Sequence, residues 1–131
     1  MKQAVKSGLP VPAAPIEWAI VADGVIYTAQ IPIKADGTIE TGDIDKQTRL
    51  TLDNLRKTLK AAGATLADVA QVLVYLPDLK DFPGMNAVYG EYFPKPYPNR
   101  ATIVAQLMAP GARIEIVAYA HVGRRRARPA S

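Results

Sequence analysis

Arg100 is the residue of this sequence best placed for chemistry. It follows a run stiffened by Pro94, Pro96 and Pro98 and immediately precedes a predicted strand, so its guanidinium is presented from a rigid edge. A fixed guanidinium fork suits two-point capture of a carboxylate. Judged alone, a structural ion pair or a solvated arginine is the simpler explanation. Glu115 comes second, because it stands inside an otherwise apolar stretch. A carboxylate there must be paired, across strands or at an interface with Arg113 the nearest candidate, or it must face a site. His121 is the sole histidine and ends a strand, which suits a surface or interface position. Cysteine is absent, which removes disulfides, thiolate nucleophiles and Cys-type zinc sites. One histidine and no clustered carboxylates argue against a metal site. Neither a Ser-His-Asp set nor a GxGxxG or Walker-type loop can be assembled. The remaining carboxylates have ordinary roles: Asp23 and Asp36 in turns, Asp43 or Asp45 at a helix start, Asp53 and Glu91 on solvated faces.

The elements that must hold these residues follow from periodicity. Residues 19–22 and 25–31 read as two strands joined by Asp23-Gly24, a tight-turn dipeptide, and a second turn falls at Ala35-Asp36-Gly37. From Asp43 a helical stripe runs through Thr48, Leu52, Leu55, Leu59 and Ala62, with Arg49, Asp53, Arg56, Lys57 and Lys60 opposite and Gly63 placed to end the helix. Thr65 to Asp68 resembles a capped single turn, and 69–76 a buried strand stopped by Pro77. Asp81 is the expected N-cap of a second helix, with Pro83 in its first turn. In that helix Met85, Val88, Tyr89, Tyr92 and Phe93 form a core-facing stripe. Strands 101–107 and 113–122 close the chain around the turn Ala109-Pro110-Gly111. In the last one Ile114, Ile116, Ala118 and Ala120 point one way, and Arg113, Glu115, Val117, Tyr119 and His121 the other. The order β-β-α-β-α-β-β predicts an α+β fold with two helices on one face of a mixed sheet. Val117, Tyr119 and Val104 would leave the other face partly apolar, so a homo-oligomer is expected.

Composition narrows the partners. At 131 residues with 49% apolar and 21% charged side chains, the chain has material for one core. A single domain over 1–122 is expected, followed by a basic, disordered tail over 123–131. No apolar run approaches the roughly 20 residues of a membrane span, and 1–15 lacks the uninterrupted apolar stretch of a secretory signal. A soluble, cytoplasmic protein is the expectation. The formal charge of +4 comes from the tail: Arg124, Arg125, Arg126 and Arg128 account for all of it, leaving 1–122 with twelve cations against twelve anions. A neutral domain argues against nucleic acid as a partner.

Several blocks carry a family likeness: Ile26 to Pro32 (IYTAQIP), Gln47 to Leu55 (QTRLTLDNL), Met85 to Tyr89 (MNAVY), Tyr97 to Thr102 (YPNRAT) and Ile114 to Ala118 (IEIVA). Together, and in this order from about Ile16 to Val122, they resemble the RidA/YjgF family of reactive-intermediate (enamine/imine) deaminases, the endoribonuclease L-PSP-like superfamily. The resemblance implies a chorismate-mutase-like fold of the bacillus type and a homotrimer with sites in clefts between subunits. It also implies hydrolysis of 2-aminoacrylate-like imino or enamino acids to 2-keto acids and ammonia, a C–N hydrolase chemistry needing no cofactor and no metal. Arg100 matches the arginine that binds the substrate carboxylate. Asn86 and Tyr89 match the asparagine and aromatic of the second helix, Thr28 a frequent serine, and Thr102 a frequent cysteine whose backbone N–H contacts the ligand. Trp18 falls near the cleft-lining tyrosine. Val117 replaces the glutamate that orients water in well-studied members, which leaves Glu115, Thr28, a tyrosine hydroxyl or a neighbouring subunit's carboxylate as candidates for that role. That loss favours, as an alternative, a non-catalytic binder of small carboxylates in the same cleft. RNA cleavage or translation inhibition, with which the family has been labelled, lacks a basic surface and an acid/base pair here.

Overall fold

The computed structural model describes residues 1–122, so the expected basic tail over 123–131 lies outside the described residues. Strands β1 (Gln3–Ala4), β2 (Ala19–Ala22), β3 (Val25–Gln30), β4 (Val69–Leu76), β5 (Asn99–Val104) and β6 (Glu115–His121) form one six-stranded sheet in the order β1-β2-β3-β6-β4-β5. All pairings are antiparallel except β4 with β5. Helices α1 (Ile44–Ala61) and α2 (Phe82–Tyr92) pack on one face. This is the expected α+β arrangement, with one short edge strand, β1, added by the N-terminal segment.

Local chemistry explains most boundaries. Asp23 and Gly24 have φ of 50° and 76°, the left-handed pair of a two-residue hairpin turn between β2 and β3. Asp43 caps α1 by accepting from the Lys46 N–H at 3.0 Å. At the other end Gly63, with φ of 85°, lets the Ala64 N–H reach the Leu59 carbonyl at 2.8 Å, a Schellman closure. Thr65 and Asp68 form a reciprocal capping box. The core between sheet and helices contains Ile26, Leu52, Leu55, Leu59, Val72, Val74, Met85, Ile114 and Ile116, each fully buried.

Several expectations change. Arg100 does not precede β5 but is its second residue, opposite Val72, because parallel pairing with β4 draws the end of the proline loop into the sheet. β5 also stops at Val104, and β6 starts only at Glu115. Val104 pairs with Leu76, a buried residue of the helix-covered face, so its side chain belongs to that face and not to the open one. Asp81 stands at the N-terminus of α2 but makes no side-chain cap. Its carboxylate accepts from Arg113 Nε and Nη2 at 3.0 and 2.7 Å, which also removes Arg113 as a partner for Glu115.

Candidate functional site

β5 and α2 together position Arg100. Side chains of paired residues in a sheet share a face, so Arg100 and Thr102 project with Val72 and Val74 toward the helices. Phe82, Asn86 and Tyr89 stand four and three residues apart on α2 and therefore meet on one side of it. The Arg100 Nη2 donates to Asn86 Oδ1 at 2.8 Å. Its guanidinium carbon lies 4.5 Å from the centre of the Tyr89 ring and 5.8 Å from that of Phe82. Tyr89 packs on Phe93 with ring centres 4.5 Å apart, which fixes the platform beneath the cation. Burial pushes the Tyr89 hydroxyl pKa up, and the neighbouring Arg100 charge opposes that rise.

Among the described residues no carboxylate lies within ion-pair distance of Arg100. A half-buried guanidinium held by an amide and two rings, with no counter-charge, is built to receive an anion. It borders two cavities. One, of about 450 Å³, is lined by Asn86, Tyr89, Gly90, Tyr97 and Pro98; the other, of about 320 Å³, by Leu76, Leu79, Phe82, Thr102, Ile103 and Val104.

The free edge of β5 contributes donors as well. The Ala105 N–H bonds to the Leu76 carbonyl across the parallel pair at 3.0 Å. Backbone direction alternates along a strand, so the N–H groups of Val104 and Thr102 point away from β4. The Thr102 backbone donor is thus available beside Arg100.

Within one chain the other expected site residues lie elsewhere. Thr28 is buried on β3, three strand spacings or about 14 Å from β5. Its hydroxyl donates to the Trp18 carbonyl at 2.6 Å and accepts from Gln30 Nε2 at 2.9 Å. The Trp18 indole N–H donates to the Pro10 carbonyl at 2.7 Å, securing the N-terminal segment. Glu115 stands on the open face of β6 opposite Tyr75, where burial pushes its pKa up. Phe82, Leu79 and Tyr97 are site residues that the sequence reading missed. The spacing of Phe82 four residues before Asn86 was the available signal. Among the described residues no three His, Asp or Glu side chains gather closely enough to hold a metal ion.

A mixed sheet with two helices on one face, and on its edge strand an arginine set over a helix-borne aromatic, defines an α+β protein with a candidate anion site. The chain belongs to the endoribonuclease L-PSP family, that of the RidA/YjgF proteins, whose model matches residues 8–122. It is 43% identical over 114 residues, covering 86% of this chain and 90% of its relative, to a RutC family protein of Pyrococcus horikoshii. It is 38% identical to the 3-aminoacrylate deaminase RutC of Acinetobacter baylyi, covering 88% and 93% of the two chains. Its fold superposes with a TM-score of 0.83 on E. coli TdcF, solved with bound serine, at 27% identity over 91% of this chain and 98% of that one. The fold implied by the family likeness is therefore the one observed.

Proposed function

We propose that this protein hydrolyses small 2-imino and 2-enamino acids to 2-keto acids and ammonia, with Arg100 anchoring the substrate carboxylate. The observation that carries this reading is the guanidinium itself: oriented by Asn86, backed by Tyr89, and without an anionic partner among the described residues. The N–H groups of Arg100 not given to Asn86 bind the carboxylate through charge-assisted bonds. The Thr102 backbone N–H at the open edge of β5 supplies a further donor. With the acid held, an enamine takes a proton on its β-carbon and gives one up from nitrogen to become the imine, and water then adds to the imine carbon, giving a carbinolamine. Its C–N bond then breaks, ammonia leaves with the nitrogen, and the oxygen becomes the keto group. Imines already hydrolyse in water, so positioning and modest polarisation supply the acceleration. Water is the nucleophile, and the reaction calls for no cofactor.

Trp18 and Glu115 enter this scheme through a neighbouring copy in a homotrimer with its sites between subunits, while the buried Thr28 hydroxyl, held by the Trp18 carbonyl and Gln30, secures the Trp18 backbone. The apolar open face of the sheet supports such an assembly. The name of the RutC relative supports the reaction class, and serine bound to TdcF supports recognition of a small amino-acid-like carboxylate by this fold. One observation favours a second reading, a binder without catalysis: Val117, on the open face of β6, cannot hold or transfer a proton.

A lyase that releases 2-aminoacrylate, coupled to detection of pyruvate and ammonia, separates the two. The wild type is expected to accelerate release and Arg100→Ala to fall to the uncatalysed rate. Equal acceleration by both would remove Arg100 from the mechanism. No acceleration by either, together with Arg100-dependent binding of 2-ketobutyrate, would establish the binder instead.

A further inference from the structure

Arg100 stands between two cavities, one of mixed polar and apolar lining and one mainly apolar. On the Asn86 side the wall offers an amide, tyrosines and the exposed backbone of Gly90; on the other side it is Leu76, Leu79, Phe82 and Val104. Leu79 and Val104 are 72% and 53% exposed, so this chain keeps large apolar side chains in water around a half-buried cation. The apolar cavity, at about 320 Å³, falls at the small end of the range for small-molecule sites. Among the described residues Arg100 is the one cation in its lining, and no acid lines it.

We propose that this apolar cavity receives the substrate's side chain and sets the specificity of the enzyme. 2-Imino acids with aliphatic chains of three or four carbons are preferred over the methyl-bearing imine form of 2-aminoacrylate. The inference rests on Arg100 as the carboxylate anchor. Once the carboxylate is on Arg100, the adjacent carbon carries two diverging substituents, the imine nitrogen and the side chain. The nitrogen must stay hydrated to accept a proton, which matches the Asn86 side. An aliphatic chain gains by leaving water for the wall of Leu79, Phe82 and Val104. Each added methylene that enters the cavity raises kcat/KM by about fourfold. A side chain ending in a carboxylate meets no second cation there and is disfavoured.

The test generates 2-imino acids in place with an L-amino acid oxidase acting on 2-aminobutyrate, norvaline and norleucine, and traps the surviving imine with semicarbazide. The expected result is a rise in kcat/KM of about fourfold for each methylene across the series. In Leu79→Ser/Val104→Ser, two exposed positions, the norleucine to 2-aminobutyrate ratio should fall by fourfold or more, with the circular dichroism spectrum retained. Leu79→Ser alone should show the same trend at smaller size, should the double variant fail to fold. Equal kcat/KM across the series, or a ratio unchanged in the variants, would overturn the pocket assignment while leaving the deaminase reading in place. If the wild type accelerates loss of none of the imines, the deaminase reading falls and this inference falls with it.

Discussion

Two kinds of contact hold the guanidinium of Arg100. The Asn86 Oδ1 accepts from Nη2 at 2.8 Å, and the guanidinium carbon lies 4.5 Å from the centre of the Tyr89 ring. Neither neutralises the charge, so the outward N–H groups keep their affinity for an anion. Removing the Asn86 partner should therefore weaken binding without abolishing it. For Asn86→Ala the expected loss is about tenfold in the Kd of 2-ketobutyrate by titration calorimetry, the worth of one hydrogen bond to a charged group. An unchanged Kd would mean that α2 does not set the orientation of Arg100. The sequence made Arg100 conspicuous through the stiff proline loop before it. Its ring partner Tyr89 stood out only through the family likeness, because by periodicity it sits in an apolar stripe where every member has equal reason to face the core. Only the parallel register of β5 on β4 shows that this tyrosine lies under the cation.

At the level of elements, α2 reaches the edge of the sheet through a clamp at its first turn. Asp81, 5% exposed, is held by two bonds from Arg113, and the Arg113 backbone N–H is itself held by Gln47 Oε1 of α1 at 2.7 Å. Gln47 Nε2 donates back to the Gly111 carbonyl at 3.0 Å, so one buried amide ties α1 to the turn before β6. On the outer side Arg49 bridges Asp45 of α1 and Glu91 of α2 at 2.7 and 2.9 Å, but in solvent such a bridge contributes little. Arg113→Met leaves the Asp81 charge almost buried and unpaired. We expect it to lower unfolding free energy by about 2–3 kcal/mol in urea, reduced from a fully buried pair because the arginine is half exposed. Asp81→Asn combined with Arg113→Met should recover part of the loss, and no recovery would mean that the charge pairing is not its cause. These ties also mark the limit of what local pattern conveys. α1 was legible from its stripe, cap and closing glycine, all within one segment. The partner of Asp81 was not, since a capping aspartate and a clamped one look alike until β6 is folded beside α2.

Across the whole molecule, the sheet has one face under the helices and one without cover. On the open face Ala29, Val117, Leu73 and Ala101 lie in one register row across β3, β6, β4 and β5. Beside that row Tyr27 and Tyr119 meet edge to face with ring centres 5.7 Å apart. Such a row across four strands is a better surface for another copy of the chain than for water. The twelve cations and twelve anions of 1–122 leave no net charge to repel that copy, and none to draw in RNA. Val117 is the informative position because it stands mid-row and is half-buried in the single chain, so a longer polar side chain there need not disturb the core beneath. Val117→Lys should place an ammonium in the proposed trimer contact once per subunit, around a shared axis where the three charges repel. Light scattering at micromolar concentration is expected to give the trimer mass for the wild type and a lower mass for the variant, with the circular dichroism spectrum unchanged. If the assembly supplies Glu115 to the neighbour's Arg100, the variant should lose imine hydrolysis in step with its mass. A trimer that survives the lysine would show that this face is not the contact, and a monomeric wild type would show in addition that the site must be complete within one chain.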